Sequence, residues 1–291
     1  MDDYLVRAMT SDGKVRGLAC VTTNLVDEAC RSHGTYPTAS AALGRALTGG
    51  LLLSALLDPE QRVALKFAGD GPLQKIVVEA EKGGVVRGYV KVPEVDLPPK
   101  RGKLDVSGAL GRNGYLTVTK DLRVKDLYHS VVKLYTGEIA SDIAYYLTES
   151  EQIPSAVGLG VYVDQGSRVT AAGGFLIQAM PPSDEGTIEA LIDHIEHMPS
   201  ITDQLRQGRS PEQLLAGIMN GIEYTPLETQ PLVYRCSCSR FRIEQALVTL
   251  GQKEVLSIIQ QDQVIDVKCE FCRKIYVFER TALERLLGEM H

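Results

Sequence analysis

The chain contains Cys236-Ser237-Cys238 and, after thirty intervening residues, Cys269-Glu270-Phe271-Cys272. Two close thiol pairs that are brought together make a four-sulfur site. Zinc is the metal favoured by such a site, because it prefers tetrahedral coordination and binds thiolate sulfur at about 2.3 Å. The intervening residues 239–268 are long enough to hold helices that fold one pair against the other. The spacing therefore predicts a small module in which Cys236, Cys238, Cys269 and Cys272 bind one zinc ion.

The Cys-x-Cys half of this pattern is unusual, because ordinary zinc ribbons and knuckles repeat Cys-x2-Cys. A one-residue gap places both thiolates on the same side of an extended segment. It would also give a cramped ring if the pair oxidised, and strained disulfides tend to be labile and regulatory. Six basic residues lie beside the ligands, and nearby cations favour the reactive thiolate: Arg235, Arg240, Arg242, Lys268, Arg273 and Lys274. The residues alone leave a permanent structural zinc and a redox-sensitive zinc equally open.

The composition is that of an ordinary soluble protein, with 44% hydrophobic and 23% charged residues among 291, which is enough chain for two domains. Residues 1–14 are charged and lack the apolar stretch of a signal peptide. The most apolar segment, residues 39–57, is interrupted by Arg45 and by Gly49-Gly50 and is too short for a membrane span. We therefore expect reduced or metal-bound cysteines, a cytoplasmic location and no membrane partner.

The net charge of −6 is unevenly distributed along the chain. Residues 183–231 hold nine acidic residues against Arg206 and Arg209, a net charge of −7. Residues 232–291 hold nine basic and eight acidic residues, a net charge of +1. Surfaces that bind nucleic acid usually show a clear basic excess. The charge distribution therefore argues against nucleic acid as a partner.

The pattern of residues 1–182 mixes short strands with helices. Strands are predicted at 4–9, 62–67, 75–79, 85–90, 115–120 and 131–135, and helices at 38–57 and 141–148. Strands that occur in runs favour an α+β fold over a doubly wound sheet. The composition changes after Pro181-Pro182. We predict an α+β core domain over 1–182, an acidic helical linker over 183–231 and a small C-terminal zinc-binding domain over 232–291.

The predicted linker carries clear helix signals. Ser210-Pro211-Glu212-Gln213 is a capping box, and Leu214, Leu215, Ile218 and Met219 follow on one face of the helix before Gly221. A second amphipathic helix is predicted at 187–198. Isolated helices shorter than about 12 to 15 residues are marginal, so these helices must dock on another surface. This segment is the part expected to unfold first.

Residues 232–291 are predicted to form a compact module. Helices are expected from Ser239 to Leu250 and over 252–260, followed by two strands within 264–278 that place Cys269–Cys272 at their turn. Thr281-Ala282-Leu283-Glu284 is read as a capping box that opens a last helix. So short a module buries little core, and a structural metal would supply a needed constraint.

The remaining cysteines and histidines form no recognisable site. Cys20 and Cys30 share no short spacing and are predicted to be packing residues. His194 and His197 lie at i, i+3 on a predicted acidic helix without a third ligand, which disfavours a metal site there. No phosphate-loop, nucleophile-elbow or metalloprotease motif occurs. The sequence therefore gives little support for an enzyme.

The cysteine pattern resembles a known family over nearly the whole chain. The Cys-x-Cys, the spacing of about thirty and the Cys-x-x-Cys are similar to those of the heat-shock protein 33 family of redox-switched holdase chaperones. Further matches are Thr38-Ala39-Ser40-Ala41-Ala42-Leu43-Gly44-Arg45, Ser150-Glu151-Gln152-Ile153-Pro154, the run from Ala171 to Gln178, and Cys269-Glu270-Phe271-Cys272 followed by Tyr276. One departure is Phe241, where the family usually has glutamate.

The resemblance implies a redox-regulated, ATP-independent chaperone. In the reduced form the four cysteines would hold one zinc ion, and the helices of 183–231 would dock on the first domain. Oxidation would form the disulfides Cys236–Cys238 and Cys269–Cys272 and release zinc, so that residues 232–291 act as a redox switch. Metal binding contributes on the order of 10 kcal/mol to folding in such modules, so its loss should unfold the module and then the linker.

The resemblance also implies the partners. Unfolded client proteins would contact the apolar linker face formed by Leu214, Leu215, Ile218 and Met219, because exposed apolar patches bind partners without a sequence code. The oxidised form would be a homodimer.

Two other functions stay open on the residues alone. One is a zinc-ribbon nucleic-acid-binding protein, which would show a strongly salt-dependent affinity for RNA or DNA. The other is a thiol enzyme, which would turn over a small thiol or disulfide substrate.

Overall fold

The computed structural model describes residues 2–181, 185–261 and 264–289. The chain divides into two compact units, Met1–Arg235 and Cys236–His291. The boundary predicted between residues 182 and 183 lies outside the described residues. The division into 1–182, 183–231 and 232–291 stays a prediction, and the described residues 185–231 belong to the first unit.

The first unit is built from two sheets and seven helices among its described residues. In chain order its elements are β1 (Tyr4–Thr10), β2 (Val15–Val21), α1 (Thr23–His33), α2 (Pro37–Ser54), β3 (Arg62–Ala68), β4 (Lys75–Glu81), β5 (Val85–Val90), α3 (Val106–Leu110), β6 (Tyr115–Asp121), β7 (Tyr128–Lys133), α4 (Ala140–Glu149), β8 (Ser155–Val163), β9 (Val169–Ala179), α5 (Glu185–His197), α6 (Ile201–Arg206), α7 (Pro211–Ile218), β10 (Tyr224–Pro231) and β11 (Val233–Tyr234).

Both sheets are largely antiparallel. The first has the strand order β10-β1-β2-β9-β8, with every neighbouring pair antiparallel. The second has the order β11-β5-β4-β3-β6-β7 and is antiparallel except for the short β11–β5 pair. The predicted α+β fold class is confirmed.

Helix α2 lies at the centre of the core of the first unit. Pro37 occupies its first turn, where a missing N–H does no harm, and small or apolar residues follow on every side apart from Arg45. The helix packs on β3, β4 and β5 of the second sheet and on β2, β8 and β9 of the first. Gly50 permits close approach, because a Cβ there would lie 2.8 Å from Val78 Cγ1. The long, largely buried helix predicted at 38–57 is confirmed.

The first sheet is buried on both faces. Successive side chains of a strand point to opposite sides of the sheet, and each side lies in an apolar cluster. One face contributes to the core around α2: Leu5, Leu18, Cys20, Ala172 and Leu176. The opposite face carries Val6, Ala8, Val15, Ala19, Ala171, Phe175 and Ile177. Helices α5, α6 and α7, which we call the helical layer, cover this opposite face with Leu191, Ile201, Leu205, Leu214, Leu215, Ile218 and Met219. We call the resulting apolar contact the outer cluster.

Local signals in the helical layer are realised as predicted. Helix α5 is the helix predicted at 187–198, and Ser210 caps α7 by accepting the Gln213 N–H, with Pro211 in the first turn. Two contacts fix α7 in place. The His194 Nδ1 donates to the Ile218 carbonyl at 2.9 Å, and the Tyr4 hydroxyl donates to Glu212 at 2.9 Å. Three short helices are therefore held as one layer on the first sheet.

Several elements differ from the sequence-based expectation. Helix α1 and strands β2, β8 and β9 were not predicted, and the glycines of β8 and β9 explain part of this, since glycine is depleted in strands. The strand predicted at 131–135 lies at Tyr128–Lys133.

Residues 224–231, which were predicted to belong to a helical linker, form strand β10, so that prediction was wrong. Tyr and Thr favour a strand, and its prolines are tolerated because β10 lies at the edge of the first sheet.

The second unit contains α8 (Arg240–Thr249), α9 (Gln252–Gln261), β12 (Val264–Lys268), β13 (Ile275–Glu279) and α10 (Arg280–Glu289). The two predicted helices and the predicted strand pair are confirmed. Thr281 was wrongly assigned as the N-cap of the last helix. Strand β13 ends at Glu279 and α10 begins at Arg280, so no residue is left between them for a separate cap.

Among the described residues of the whole chain, none of the helices has both the length and the apolar character needed to cross a bilayer.

Gly160 should be needed for α6 to dock on β8. A Cβ on this residue would lie 2.8 Å from the Thr202 backbone nitrogen, which cannot move away as a flexible side chain can. We expect Gly160→Ala to destabilise the docked helical layer by about 1 to 3 kcal/mol, the usual effect of overpacking. Trypsin should then cut faster after Arg206 and Arg209. The matched control is Gly83→Ala, because a Cβ at Gly83 meets no atom within 4 Å. Equal cleavage rates in both variants would contradict this account.

Candidate metal centre

Two loops of the second unit carry the four cysteines. Cys236 and Cys238 lie on the extended segment before α8, whose N-cap Ser239 accepts the Arg242 N–H. Cys269 and Cys272 lie in the turn between β12 and β13. This turn is closed by the Cys269 N–H, which donates to the Lys274 carbonyl at 2.9 Å, and by the Arg273 N–H, which donates to the Cys269 carbonyl at 2.8 Å. Helix cap and hairpin turn therefore fix the backbone of both cysteine pairs.

The four sulfurs converge as the sequence predicted. All four Sγ atoms lie within 4.8 Å of one another. The Cys236 Sγ is 3.8 Å from that of Cys269, and the Cys238 Sγ is 3.4 Å from that of Cys272. A tetrahedral zinc site with bonds of about 2.3 Å has sulfur–sulfur edges of about 3.8 Å. The donor set and its spacing therefore fit a tetrahedral metal such as zinc.

None of the four cysteines forms a disulfide in this structure. The predicted disulfides Cys236–Cys238 and Cys269–Cys272 are not formed here, and the two shorter contacts join one pair to the other instead. The disulfide pairing therefore stays a prediction. In the parts of the chain that the structure describes, this is also the sole group of three or more potential ligands that converges in this way.

The cysteines form part of the apolar core of their unit. Cys269 is buried, and the other three pack against a cluster that includes Leu247, Val255, Phe278 and Leu283. The backbone N–H groups of Phe271 and Cys272 donate to the Cys269 sulfur. Such donors stabilise a thiolate, the form in which cysteine binds a metal. A metal held here would join the two loops at the centre of a small core.

Cys238, Cys269 and Cys272 differ in acidity. Burial raises the pKa of Cys238, but hydrogen bonds from the Tyr276 hydroxyl at 3.1 Å and from the neighbouring thiols outweigh this and lower the pKa to about 7. Burial raises the pKa of Cys269 and of Cys272 above the usual thiol range. The hydrogen bond to Cys238 raises the pKa of Tyr276 to about 12. Cys238 therefore ionises before Cys269 and Cys272, and Tyr276 supports its charge.

Tyr276 is the site residue that motif spacing did not assign to a role. It faces inward from β13 together with Phe278, in an alternating buried and exposed pattern. The period-2 alternation of Ile275 to Glu279 could have placed these two residues on one face. It could not have shown that this face meets the sulfurs.

The basic residues beside the ligands are engaged with the surrounding framework. The Arg242 Nη1 donates to Ser237 Oγ at 2.6 Å, which ties the Cys-x-Cys loop to α8. The Arg240 guanidinium lies 4.3 Å from the ring centre of Phe278 and donates to the Val277 carbonyl at 2.8 Å. Phe241, at the position of the family departure, is exposed. These contacts connect the loop of Cys236 and Cys238 to α8, and α8 to β13.

The predicted client-binding face is covered in this structure. Leu214, Leu215, Ile218 and Met219 are each at most 1% exposed and lie in the outer cluster.

Cys20 and Cys30 are buried in the core around α2, as expected of packing residues. Burial raises the pKa of both thiols, that of Cys30 to about 11. His197 bonds within its own helix to Asp193, and neither it nor His194 joins the cysteine cluster.

Comparison with known proteins gives one consistent answer. The family model described as Hsp33 protein matches residues 3–279. A 33 kDa chaperonin from Geobacter sulfurreducens is 57% identical over 284 residues, covering 98% of this chain and 94% of the relative. A 33 kDa chaperonin from Geobacillus kaustophilus is 44% identical over 287 residues, covering 98% of both chains.

A solved structure agrees at the level of the fold. The crystal structure of the 33 kDa chaperonin (heat shock protein 33 homolog) from Thermotoga maritima superposes with a TM-score of 0.91 at 36% identity, covering 99% of both chains. The chain belongs to the Hsp33 family of chaperones, because the family model matches most of its length and four cysteines converge in the second unit of the chain.

Proposed function

We propose that this protein is a redox-regulated, ATP-independent holdase that binds unfolded proteins under oxidative stress. It is inactive when reduced and zinc-bound, and it is activated by disulfide formation and zinc release. The observation that carries the proposal is the convergence of four cysteine sulfurs, none of them in a disulfide, in a small separate unit. Membership of the Hsp33 family supports the chaperone assignment.

In the reduced state Cys236, Cys238, Cys269 and Cys272 would hold one zinc ion. The metal would supply charge neutralisation and a rigid tetrahedral link between the two loops. The second unit would depend on this link, since binding energy in such modules is folding energy. The residues that prepare the site are Tyr276, which donates to Cys238, and the backbone N–H groups that donate to Cys269.

Oxidation would remove the metal ligands in pairs. Each pair of thiolates would give two electrons to one hydrogen peroxide, which takes up two protons from the solvent and becomes two waters, while a sulfur–sulfur bond forms between the two cysteines. The proposed bonds are Cys236–Cys238 and Cys269–Cys272. Disulfide sulfur is a poor metal ligand, so the second unit would lose both its metal and its fold.

The chain path offers a way for this change to reach the helical layer. Only Arg235 separates β11 from Cys236, and β11 has two residues in the sheet. Before it, β10 is an edge strand that leads back to α7. Both strands are weak points, because a short or edge strand has few neighbours to hold it. Loss of order at Cys236 would therefore loosen β11, β10 and the helical layer in turn.

Helix α7 depends on its docking against the first sheet. Burying the four apolar residues of the α7 face contributes about 6 to 12 kcal/mol, at about 1.5 to 3 kcal/mol each. A helix of eight residues is not stable on its own in water, so it needs this burial. Loss of support from β10 would therefore undock it.

Undocking would create the client-binding surface. Leu214, Leu215, Ile218 and Met219, together with the sheet face beneath them, would contact unfolded proteins without a sequence code. The acidic side chains of residues 183–231 would help keep the complex in solution. We further propose a cytoplasmic protein without catalytic turnover that forms a homodimer when oxidised and has neither nucleic acid nor membrane as a partner.

Zinc release and holdase activity should appear together on oxidation. With peroxide at mildly elevated temperature, about one zinc per chain should leave, the aggregation of a heat-unfolded client should be suppressed, and reductant should reverse both changes. Zinc is followed with a chromophoric chelator and aggregation by light scattering. The variant Cys269→Ser should bind zinc much more weakly. The control is Cys30→Ala, which changes a cysteine of the core around α2 and should behave as the parent protein. Retention of zinc without holdase activity after oxidation would refute the proposal.

Tyr276→Phe tests the support that the hydroxyl gives to Cys238. Without this hydrogen bond the pKa of Cys238 rises, so more free energy is needed to deprotonate it when metal binds. We expect zinc affinity to fall by about tenfold, as for other groups that orient a ligand. The loss should grow as the pH falls, because the metal competes with protons for the thiols. Competition titration against a chelator measures it, with Tyr115→Phe, on the first unit, as control. Equal affinities in both variants would contradict the assigned role.

Gly217→Ala should make activation harder. Gly217 is exposed in α7, and a Cβ there meets no atom within 4 Å. Alanine stabilises a helix interior by about 0.5 to 1 kcal/mol relative to glycine. The docked layer should therefore persist longer, and holdase activity should appear more slowly after zinc has left. The measurement is the delay between zinc release and suppression of aggregation. An unchanged or shortened delay would argue against undocking of α7 as a step in activation.

A further inference from the structure

A groove with a basic lining lies beside α2 in the first unit. It consists of two adjoining cavities of about 710 and 680 Å³. They are neighbours, because both are lined by Arg45, Arg101, Lys103, Leu104 and Glu138. Residues of β8 and α6 line its far end, so that the helical layer meets the core here.

The lining carries an excess of positive charge. The six cations of the two cavities are Arg45, Lys100, Arg101, Lys103, Arg112 and Arg206. The three acidic residues of the lining are each paired with one of these cations: Glu138 with Arg45 at 2.6 Å, Asp105 with Lys100 at 2.5 Å and Asp203 with Arg206 at 3.7 Å. Among the described residues, Arg101, Lys103 and Arg112 make no direct ion pair, which leaves three positive charges in a chain whose net charge is −6.

Arg45 offers a donor that the protein does not use. Its side chain is only 13% exposed, and its Nη1 donates to Glu138. Its buried Nε has no hydrogen-bond partner among the described residues. A buried donor without an acceptor is unfavourable, so Arg45 is not fully satisfied by its contacts with the protein. Arg45 lines both cavities.

A tight turn over residues 100–103 presents Arg101 and Lys103 at the groove. Lys100 and Lys103 exchange backbone hydrogen bonds of 2.8 and 3.0 Å, and Arg101 and Gly102 between them have φ angles of 52° and 73°. These positive angles are typical of a type I′ turn, which prefers Asn or Gly at both central positions. Arginine at the first central position is unfavourable for the backbone, yet it adds a guanidinium to the groove. The turn holds these cations in place before any ligand arrives.

The arrangement selects one kind of anion. The cations come from separate segments: α2, the 100–103 turn, residue 112 and α6. They can therefore meet oxygens that point in several directions, as those of a tetrahedral phosphate do, whereas a carboxylate offers two oxygens in one plane. Arginine forks bind phosphate oxygens in pairs. We propose that this groove binds a small, multiply charged phosphate compound, an oligophosphate or the phosphate tail of a nucleotide.

A bound phosphate compound would connect the helical layer to the core. Arg206 belongs to α6, whereas Arg45 belongs to α2 and Arg101 to the neighbouring turn. An anion held by all three would stabilise docked α6 and so oppose activation. This consequence rests on the proposed function, whereas the binding itself does not.

Calorimetric titration of the reduced, zinc-loaded full chain with inorganic tripolyphosphate tests the proposal. We expect saturable binding of one tripolyphosphate per chain that weakens with added salt, because the contacts are ionic. The double variant Arg101→Gly/Lys103→Ala should lower the affinity by about tenfold or more. Glycine suits the positive φ at residue 101, so this variant should fold at least as well as the parent. The control Lys66→Ala/Lys133→Ala removes two exposed cations from the second sheet and should bind normally.

The comparison separates groove binding from other effects. Any heat from contact of tripolyphosphate with zinc would be the same in both double variants, because neither alters the cysteines. A parallel titration with a magnesium-free nucleoside triphosphate distinguishes a nucleotide from an inorganic oligophosphate, and tighter binding of either supports the proposal. Absence of saturable binding, equal loss in both double variants, or equally tight binding of citrate would overturn it. None of these outcomes depends on holdase activity.

Discussion

Four sulfur atoms hold together a unit that has little else to stabilise it. Residues 236–291 contribute one modest apolar cluster, and the cysteines themselves are members of it or pack against it. A chain of this size buries too little surface to be more than marginally stable without a further constraint. The spacing of the sulfurs within 4.8 Å fits a single tetrahedral ion. In the proposed function, thiolates bind that ion, so the stability of the unit would depend on the redox state of its cysteines.

The first unit combines a robust core with a weakly held layer. Helix α2, buried between two sheets, is surrounded by residues that lose nearly all contact with water. The outer cluster uses the other face of the first sheet and is closed by three short helices of 13, 6 and 8 residues. Such helices are not stable alone and depend on what they dock against. The unit can therefore lose this layer while the core around α2 keeps its structure.

The sequence predicted the chemistry of the site better than the path of the chain. Cysteine spacing alone located all four candidate ligands, since a motif with a fixed gap leaves few geometries. The strands with alternating or β-branched patterns, such as β3 and β4, were also predictable. Strands β8 and β9 were not, because their glycines serve close packing against α6 and neighbouring strands rather than local strand propensity. The strand β10 was missed because its pairing with β1 is a tertiary contact. Tyr276 could be placed on a face but not assigned to Cys238, since that contact joins a strand and a loop that are distant in sequence.

Amide hydrogen exchange in α5, α6 and α7, followed before and after peroxide treatment, tests the central claim most directly. The account predicts slow exchange in the reduced, zinc-bound protein. After oxidation, exchange should become fast throughout residues 185–218, while α2 stays protected, and reductant with zinc should restore the original rates. Protection of α5 to α7 that persists after the zinc has left would contradict the claim that the cysteine site controls the helical layer.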